Sequence, residues 1–348
     1  MADGRVGSAI GRAGAVGSVV AAIPVALGLL APALDRADSS APRNATAVAA
    51  ARRPGVRAPA VKEFSIPLAN LRSWAGSVVV TLNNVEIEGR SRVHNLEDDC
   101  EMHFGAHATA FQGNPDGLVL EPMNVCVQPF PGKTAQSDAD WTAFGDQIVG
   151  SSIAASGVPR IWPEHLSGGS ASNPDHAVEL HPLTAVTFGG RSVDFAPNIF
   201  AGEYRGGVGE ETALAIVQRT TVSVTRSGGS VDIAFGGGRI GNFTTLQLAI
   251  TRSSIEGDGA GSFRMDGEVV VDDSTTVPVR VVTIKGSSIN DVVSRMRTSS
   301  RTTFDLEALV LFSLSPKSLL DAANRSTGQV VRVERPLQLI LYGTPDDQ

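Results

Sequence analysis

Downstream of Lys62 the chain alternates apolar and polar residues in short runs, the period of two expected of half-buried strands. Val78–Leu82 predicts a strand, Asn83-Asn84 a turn, and Val85-Glu86-Ile87-Glu88 a second strand with one acidic face. Glu101–Ala110, Gly117–Leu120, Ile148–Ala155 and Ala177–Val186 continue the series. A short helix over 141–150 interrupts it, because Trp141, Phe144 and Ile148 recur at helical spacing. Short strands with Gly- and Pro-bearing turns and one helix predict a small, closed or partly closed barrel over residues 62–192.

Residues 193–348 repeat the strand signal after a glycine-rich opening at Gly202–Gly209. Thr220–Thr225, Val231–Phe235, Leu246–Ile250, Glu268–Val271, Val277–Ile284 and Val330–Tyr342 read as strands. Ile289, Val292, Val293 and Met296 form the apolar face of a helix over Ser288–Arg297. A second helix over Ser315–Arg325 has Ser315 as N-cap and Pro316 in its first turn. No repeat of 20–50 residues is present, which excludes a solenoid or propeller. The fold class expected is mainly β (α+β), with the barrel followed by a second β-rich domain of α+β or sandwich type. Gly236-Gly237-Gly238-Arg239-Ile240-Gly241 satisfies G-x-G-x-x-G, but a dinucleotide site needs a helix next. Leu246, Leu248 and Ile250 alternate like a strand instead, so the segment reads as a hairpin turn.

The start of the chain has a different pattern. Arg5 and Arg12 precede an almost uncharged run from Ala13 to Leu34 that ends near Ala31-Pro32-Ala33, the marks of a secretory signal within residues 1–37. At about 20 residues the run also matches a bilayer's thickness, so an uncleaved membrane anchor through residues 13–34 is the competing reading. Residues 38–61 are rich in Ala, Pro and Arg without periodicity and read as a disordered linker. The expectation is an exported protein: periplasmic, extracellular, or tethered to the membrane by its N-terminus. A net charge of −7 leaves the whole chain no basic surface, which argues against nucleic acid as a partner.

All six histidines and both cysteines fall between His94 and His181. Asp99, Glu101 and His103 would share one face of a strand, and Glu179 with His181 one face of another. His176 and His181, five apart, would point to opposite faces. With Glu121, this brings four carboxylates and two imidazoles within reach of one site. Asp99, Glu101, Glu121 and Glu179 are the expected ligands of a divalent cation, with imidazole moving the preference toward zinc, manganese or iron. His103 and His181 are the expected acid–base groups if that metal activates water. The competing account is that these side chains hydrogen-bond one another and pin strand ends. An even cysteine pair in an exported chain points to a Cys100–Cys126 disulfide, worth about 3 kcal/mol for a loop of that length. His165, in a loop, reads as a surface residue.

Asp99-Cys100-Glu101-Met102-His103-Phe104, then Leu118-Val119-Leu120-Glu121-Pro122, then Val178-Glu179-Leu180-His181-Pro182 resemble a recurring pattern of exported bacterial proteins of unestablished function. In that pattern an acidic-x-acidic-x-His strand precedes an apolar strand ending in Glu, and a Glu-Leu-His-Pro strand closes the domain. The loop Ile161–Gly168, carrying His165, occupies the place of the pattern's Gly- and His-containing loop. The resemblance spans residues 75–190 and implies a barrel of OB type, without supplying an activity. Three functions follow as expectations. They are a binding module for a ligand or envelope partner, a metal-assisted hydrolase of phosphodiester type, and a structural envelope assembly protein.

Overall fold

The computed structural model describes residues 61–345, apart from Gly168 and residues 203–206. The expected signal or anchor of residues 1–37, and residues 38–60 of the linker, lie outside the described residues.

In chain order the first half comprises β1 (Lys62–Pro67), α1 (Leu68–Gly76), β2 (Val80–Arg90), β3 (Phe104–Ala108) and β4 (Gly117–Leu120). It continues with α2 (Asp138–Ile148), β5 (Ser152–Ile161), β6 (His176–Phe188) and β7 (Arg191–Asp194). The second half begins with α3 (Glu210–Arg219), β8 (Thr221–Ser227), β9 (Ser230–Gly236), β10 (Phe243–Thr251), β11 (Glu256–Gly257), β12 (Phe263–Asp272) and β13 (Thr275–Thr283). It ends with α4 (Ser288–Thr298), β14 (Thr303–Leu314), α5 (Pro316–Arg325), β15 (Val331–Arg332) and β16 (Leu337–Gly343).

Two rings of five strands dominate the molecule. In the first, β2 pairs antiparallel with β3 and β5, β3 with β4 and β5 with β6, and a parallel β4–β6 pair closes the ring. In the second, β10 pairs antiparallel with β12 and β14, β12 with β13 and β14 with β16, and a parallel β13–β16 pair closes it. The connectivity is the same in both: a three-stranded meander, a helix, then two strands that shut the barrel. Both are consistent with OB-like domains. The second half is therefore a barrel as well, where alternation alone suggested a sandwich or α+β layer. A separate antiparallel sheet, β1-β9-β8-β15, draws strands from the beginning, middle and end of the described chain.

Alternation explains the first barrel: Val80, Leu82, Val85 and Ile87 of β2 are buried in its core. The turn expected at Asn83-Asn84 is a bulge inside one continuous strand, with Asn84 at φ 55° and the register to β5 shifting between Leu82 and Val85. The three residues expected on the helix face, Trp141, Phe144 and Ile148, are buried, and both aromatics pack with Phe130 and Phe195. In the second barrel, Leu246, Leu248 and Ile250 are part of the main core. Residues of opposite parity on β14 and β16, namely Leu309, Leu311, Ile340 and Tyr342, form a second apolar cluster with Val78, Met123 and Val158 from the first half. From Ala308 onward strand β14 is thus buried on both faces. That part carries the unbroken run Ala308-Leu309-Val310-Leu311-Phe312 and has no alternation to read.

The glycine-rich segment after β9 does not turn a hairpin, because β9 and β10 belong to different sheets. Gly237 sits at φ 124°, and a Cβ there would lie 2.6 Å from the Arg219 carbonyl. Only glycine fits that crossing.

Truncating Leu311 tests the seam. Leu311→Ala should cost about 2–5 kcal/mol while keeping one cooperative transition in urea followed by fluorescence and circular dichroism. Two separated transitions would show that the barrels unfold independently.

Candidate functional site

Four chain segments bring the polar cluster together. Residues 91–103 form the crossing from β2 to β3; Glu121 follows β4 directly; β5 supplies Arg160; β6 supplies His176, Glu179 and His181. The expected strand begins only at Phe104, so Asp99, Glu101 and His103 lie on irregular backbone. Cys100, at φ 56°, interrupts the alternation. What holds this crossing in place is covalent: Cys100 and Cys126 are disulfide-bonded, and Val125 N–H donates to the Cys100 carbonyl at 2.9 Å. Glu121 is fixed from the other side, its N–H donating to Leu180 O at 3.2 Å and its carbonyl accepting from Leu183 N–H at 2.8 Å.

His181 is the hub. Its Nε2 meets Glu101 Oε1 at 2.8 Å, and its Nδ1 faces both Glu121 Oε2 and, at 3.2 Å, Glu179 Oε2. Glu179 is shared further: Arg160 Nη1 reaches its Oε2 at 2.6 Å and His176 Nε2 its Oε1 at 3.0 Å. Arg160 also holds Glu164 at 3.0 Å and donates through Nε to the Phe312 carbonyl of β14 at 3.0 Å. Two more bonds follow the same route, Ile161 N–H to Ser313 Oγ and Trp162 Nε1 to Gly241 O.

His103 stands at the rim. Its Nε2 lies 3.5 Å from Glu121 Oε1, 3.7 Å from Asp99 Oδ2 and 4.0 Å from Glu101 Oε2. His94 grips the other oxygen of Asp99 at 2.7 Å. Of the four carboxylates expected to meet, Asp99, Glu101 and Glu121 surround His103, whereas Glu179 faces inward to Arg160, His176 and His181. His107 is elsewhere, beside Glu88 and Asp116. His165 stacks on His176 with ring centroids 5.0 Å apart.

One expectation is reversed. His176 and His181 both meet Glu179, because β6 carries an extra residue: Gly117 pairs with His176 but Val119 with Glu179. That bulge brings residue 176 onto the face of 179 and 181. Arg160, His176 and His94 were not among the expected site residues. For Arg160 a signal existed, a lone charge in the apolar run Val158-Pro159-Arg160-Ile161-Trp162. For His176 the bulge hid it.

Burial sets the charges here. It disfavours the ionised form of Glu101 and pushes its pKa up to about 8, although His181 pulls the other way. Burial and neighbouring Glu179 also oppose ionisation of Glu121, yet His181 and His103 outweigh them and bring it to about 2. Glu179 is held well below its ordinary range against burial by Arg160, His176 and His181. Burial opposes the charge on His181, but Glu101 and Glu121 raise its pKa well above the ordinary value. The cluster near neutrality thus holds cationic His181 and Arg160 against ionised Glu121 and Glu179, while burial opposes ionisation of Glu101.

Two outcomes are expected. Arg160→Met leaves Glu179 buried without its guanidinium and should cost about 3–5 kcal/mol in urea unfolding. In chelator-treated buffer, Glu121 and Glu179 contribute stability that is present above the ordinary carboxylate pKa and lost as pH falls below it. Glu101, with its pKa raised to about 8, contributes in the opposite sense, so stability declines as pH rises toward that value. The melting temperature should therefore peak on the acid side of neutrality, and Glu101→Gln, which mimics the protonated acid, should flatten the alkaline decline.

No known protein family, curated protein or solved structure matches this chain.

Proposed function

We propose that the protein is an exported, non-enzymatic binding module whose ligand seat is the rim of this cluster at His103. The enclosure of the site carries the reading. Glu101, Glu121, Glu179 and His181 are buried, while His103 and Asp99 keep only 13% and 21% of their side-chain surface exposed. A hydrolase must place a scissile bond, a water and a leaving group beside its acid–base groups. Here both nitrogens of His181 are engaged by carboxylates, and Glu179 is taken up by Arg160 and His176. What remains accessible is a corner for something small. The disulfide, and the lack among the described residues of any helix long and apolar enough to cross a membrane, are compatible with export.

The hydrolase reading makes the opposite prediction at the bench. Full-length protein supplied with magnesium, manganese or zinc should not turn over chromogenic phosphodiester, phosphomonoester or carboxylic-ester substrates above the buffer rate. Turnover that disappears in His103→Ala would overturn the binding reading in favour of metal-assisted hydrolysis.

A further inference from the structure

We infer that Glu101, His103 and Glu121 form a binding site for one divalent transition-metal ion of the zinc, manganese or iron(II) class, with Asp99 beside it. This names the ligand of the seat proposed above and rests on that reading.

The argument begins with an interaction that stops short. His103 Nε2 faces three carboxylate oxygens at 3.5, 3.7 and 4.0 Å, none of them within hydrogen-bonding reach. Elsewhere in the cluster the same kinds of group close to 2.6–3.2 Å. An ion-pair network would have closed here as well. The second observation concerns one of those oxygens: Glu101 Oε2 is fully buried and has no hydrogen-bond partner. Such an oxygen costs free energy unless something binds it.

The far oxygens explain how the near ones are aimed. Glu101 Oε1 is held by His181 Nε2, Glu121 Oε2 by His181 Nδ1, and Asp99 Oδ1 by His94 Nδ1. Each carboxylate thus has one oxygen anchored by an imidazole and the other turned toward His103. Outer groups that orient metal ligands act in this manner. The scale fits as well. Donors about 2.1 Å from a tetrahedral ion stand about 3.4 Å apart, so Glu101 Oε2, at 4.0 Å from His103 Nε2, must close on it by about 0.6 Å, and Glu121 Oε1, at 3.5 Å, by less. Ligand atoms of Glu101, His103 and Glu121 already lie within 4.8 Å of one another, whereas Asp99 converges with His94 and His103 instead. One imidazole among carboxylates favours a transition metal over calcium or magnesium. Both cysteines are in the disulfide, so thiolate does not compete.

The test uses the full chain, stripped with chelator and titrated with Zn²⁺ or Mn²⁺, with bound metal measured by mass spectrometry. Cobalt(II) absorption serves as a second readout of the ligand set. One equivalent per chain is expected. His103→Ala should weaken binding by about 100-fold or more, and His181→Gln, acting through the two glutamates, by about 10–100-fold. His165→Ala, outside the set, should leave binding unchanged. His103 makes its carboxylate contacts only at 3.5 Å and beyond, so its alanine variant keeps the test decisive if Glu121→Gln fails to fold. No uptake by the folded wild type, or uptake and a cobalt spectrum indifferent to His103→Ala, would overturn the metal site. The binding reading has its own separate failure, which is hydrolytic turnover.

Discussion

A carboxylate as deeply buried as Glu179 stays ionised only when cations share its surroundings, and that requirement shapes the rest of the molecule. Arg160 meets it at 2.6 Å, with His176 and His181 alongside. Because Arg160 also donates to the Phe312 carbonyl of the second barrel, neutralising the charge and joining the barrels are one act. The apolar seam of Leu309, Leu311, Ile340 and Tyr342 against Val78, Met123 and Val158 excludes water around the join. Low dielectric in turn strengthens the ion pair it surrounds.

The two barrels show how one ring can serve different ends. Both close through a parallel pair between their third and fifth strands. In the second barrel the fifth strand, Leu337–Gly343, is buried throughout and mostly apolar. In the first, the fifth strand carries His176, Glu179 and His181 on one face, all buried. The polar residues of the first barrel are tolerable because each is supplied with a partner from a neighbouring element. In the cluster itself the exception is the Glu101 oxygen turned toward His103.

Much of this was legible in the chain. Strands with one wet face, such as β2, betray themselves by alternation, and α2 by the spacing of Trp141, Phe144 and Ile148. That Asp99, Glu101, Glu121, Glu179 and His181 lie in one region was readable from residue type, but strand parity applies only to Glu179 and His181, because Asp99 and Glu101 reach the site from irregular backbone. Three features were hidden. From Ala308 onward strand β14 is buried on both faces, so its sequence there is a run rather than a rhythm. The bulge in β6 adds one residue, and a face assignment made on one side of it is inverted on the other. Ring closure between β13 and β16 is a long-range pairing with no local trace.

The anchoring of the His103 corner bears on which ion the proposed site would take. Glu121 is locked to β6 through both its N–H and its carbonyl, and Glu101 is tied beside the disulfide at Cys100. Such a corner resists contraction, so every fraction of an ångström by which the donors must close is charged against a small ion. Raw affinity along the Irving–Williams series would put zinc ahead of manganese or iron(II). A stiff, oxygen-rich corner works against that order and favours the ion of larger ionic radius.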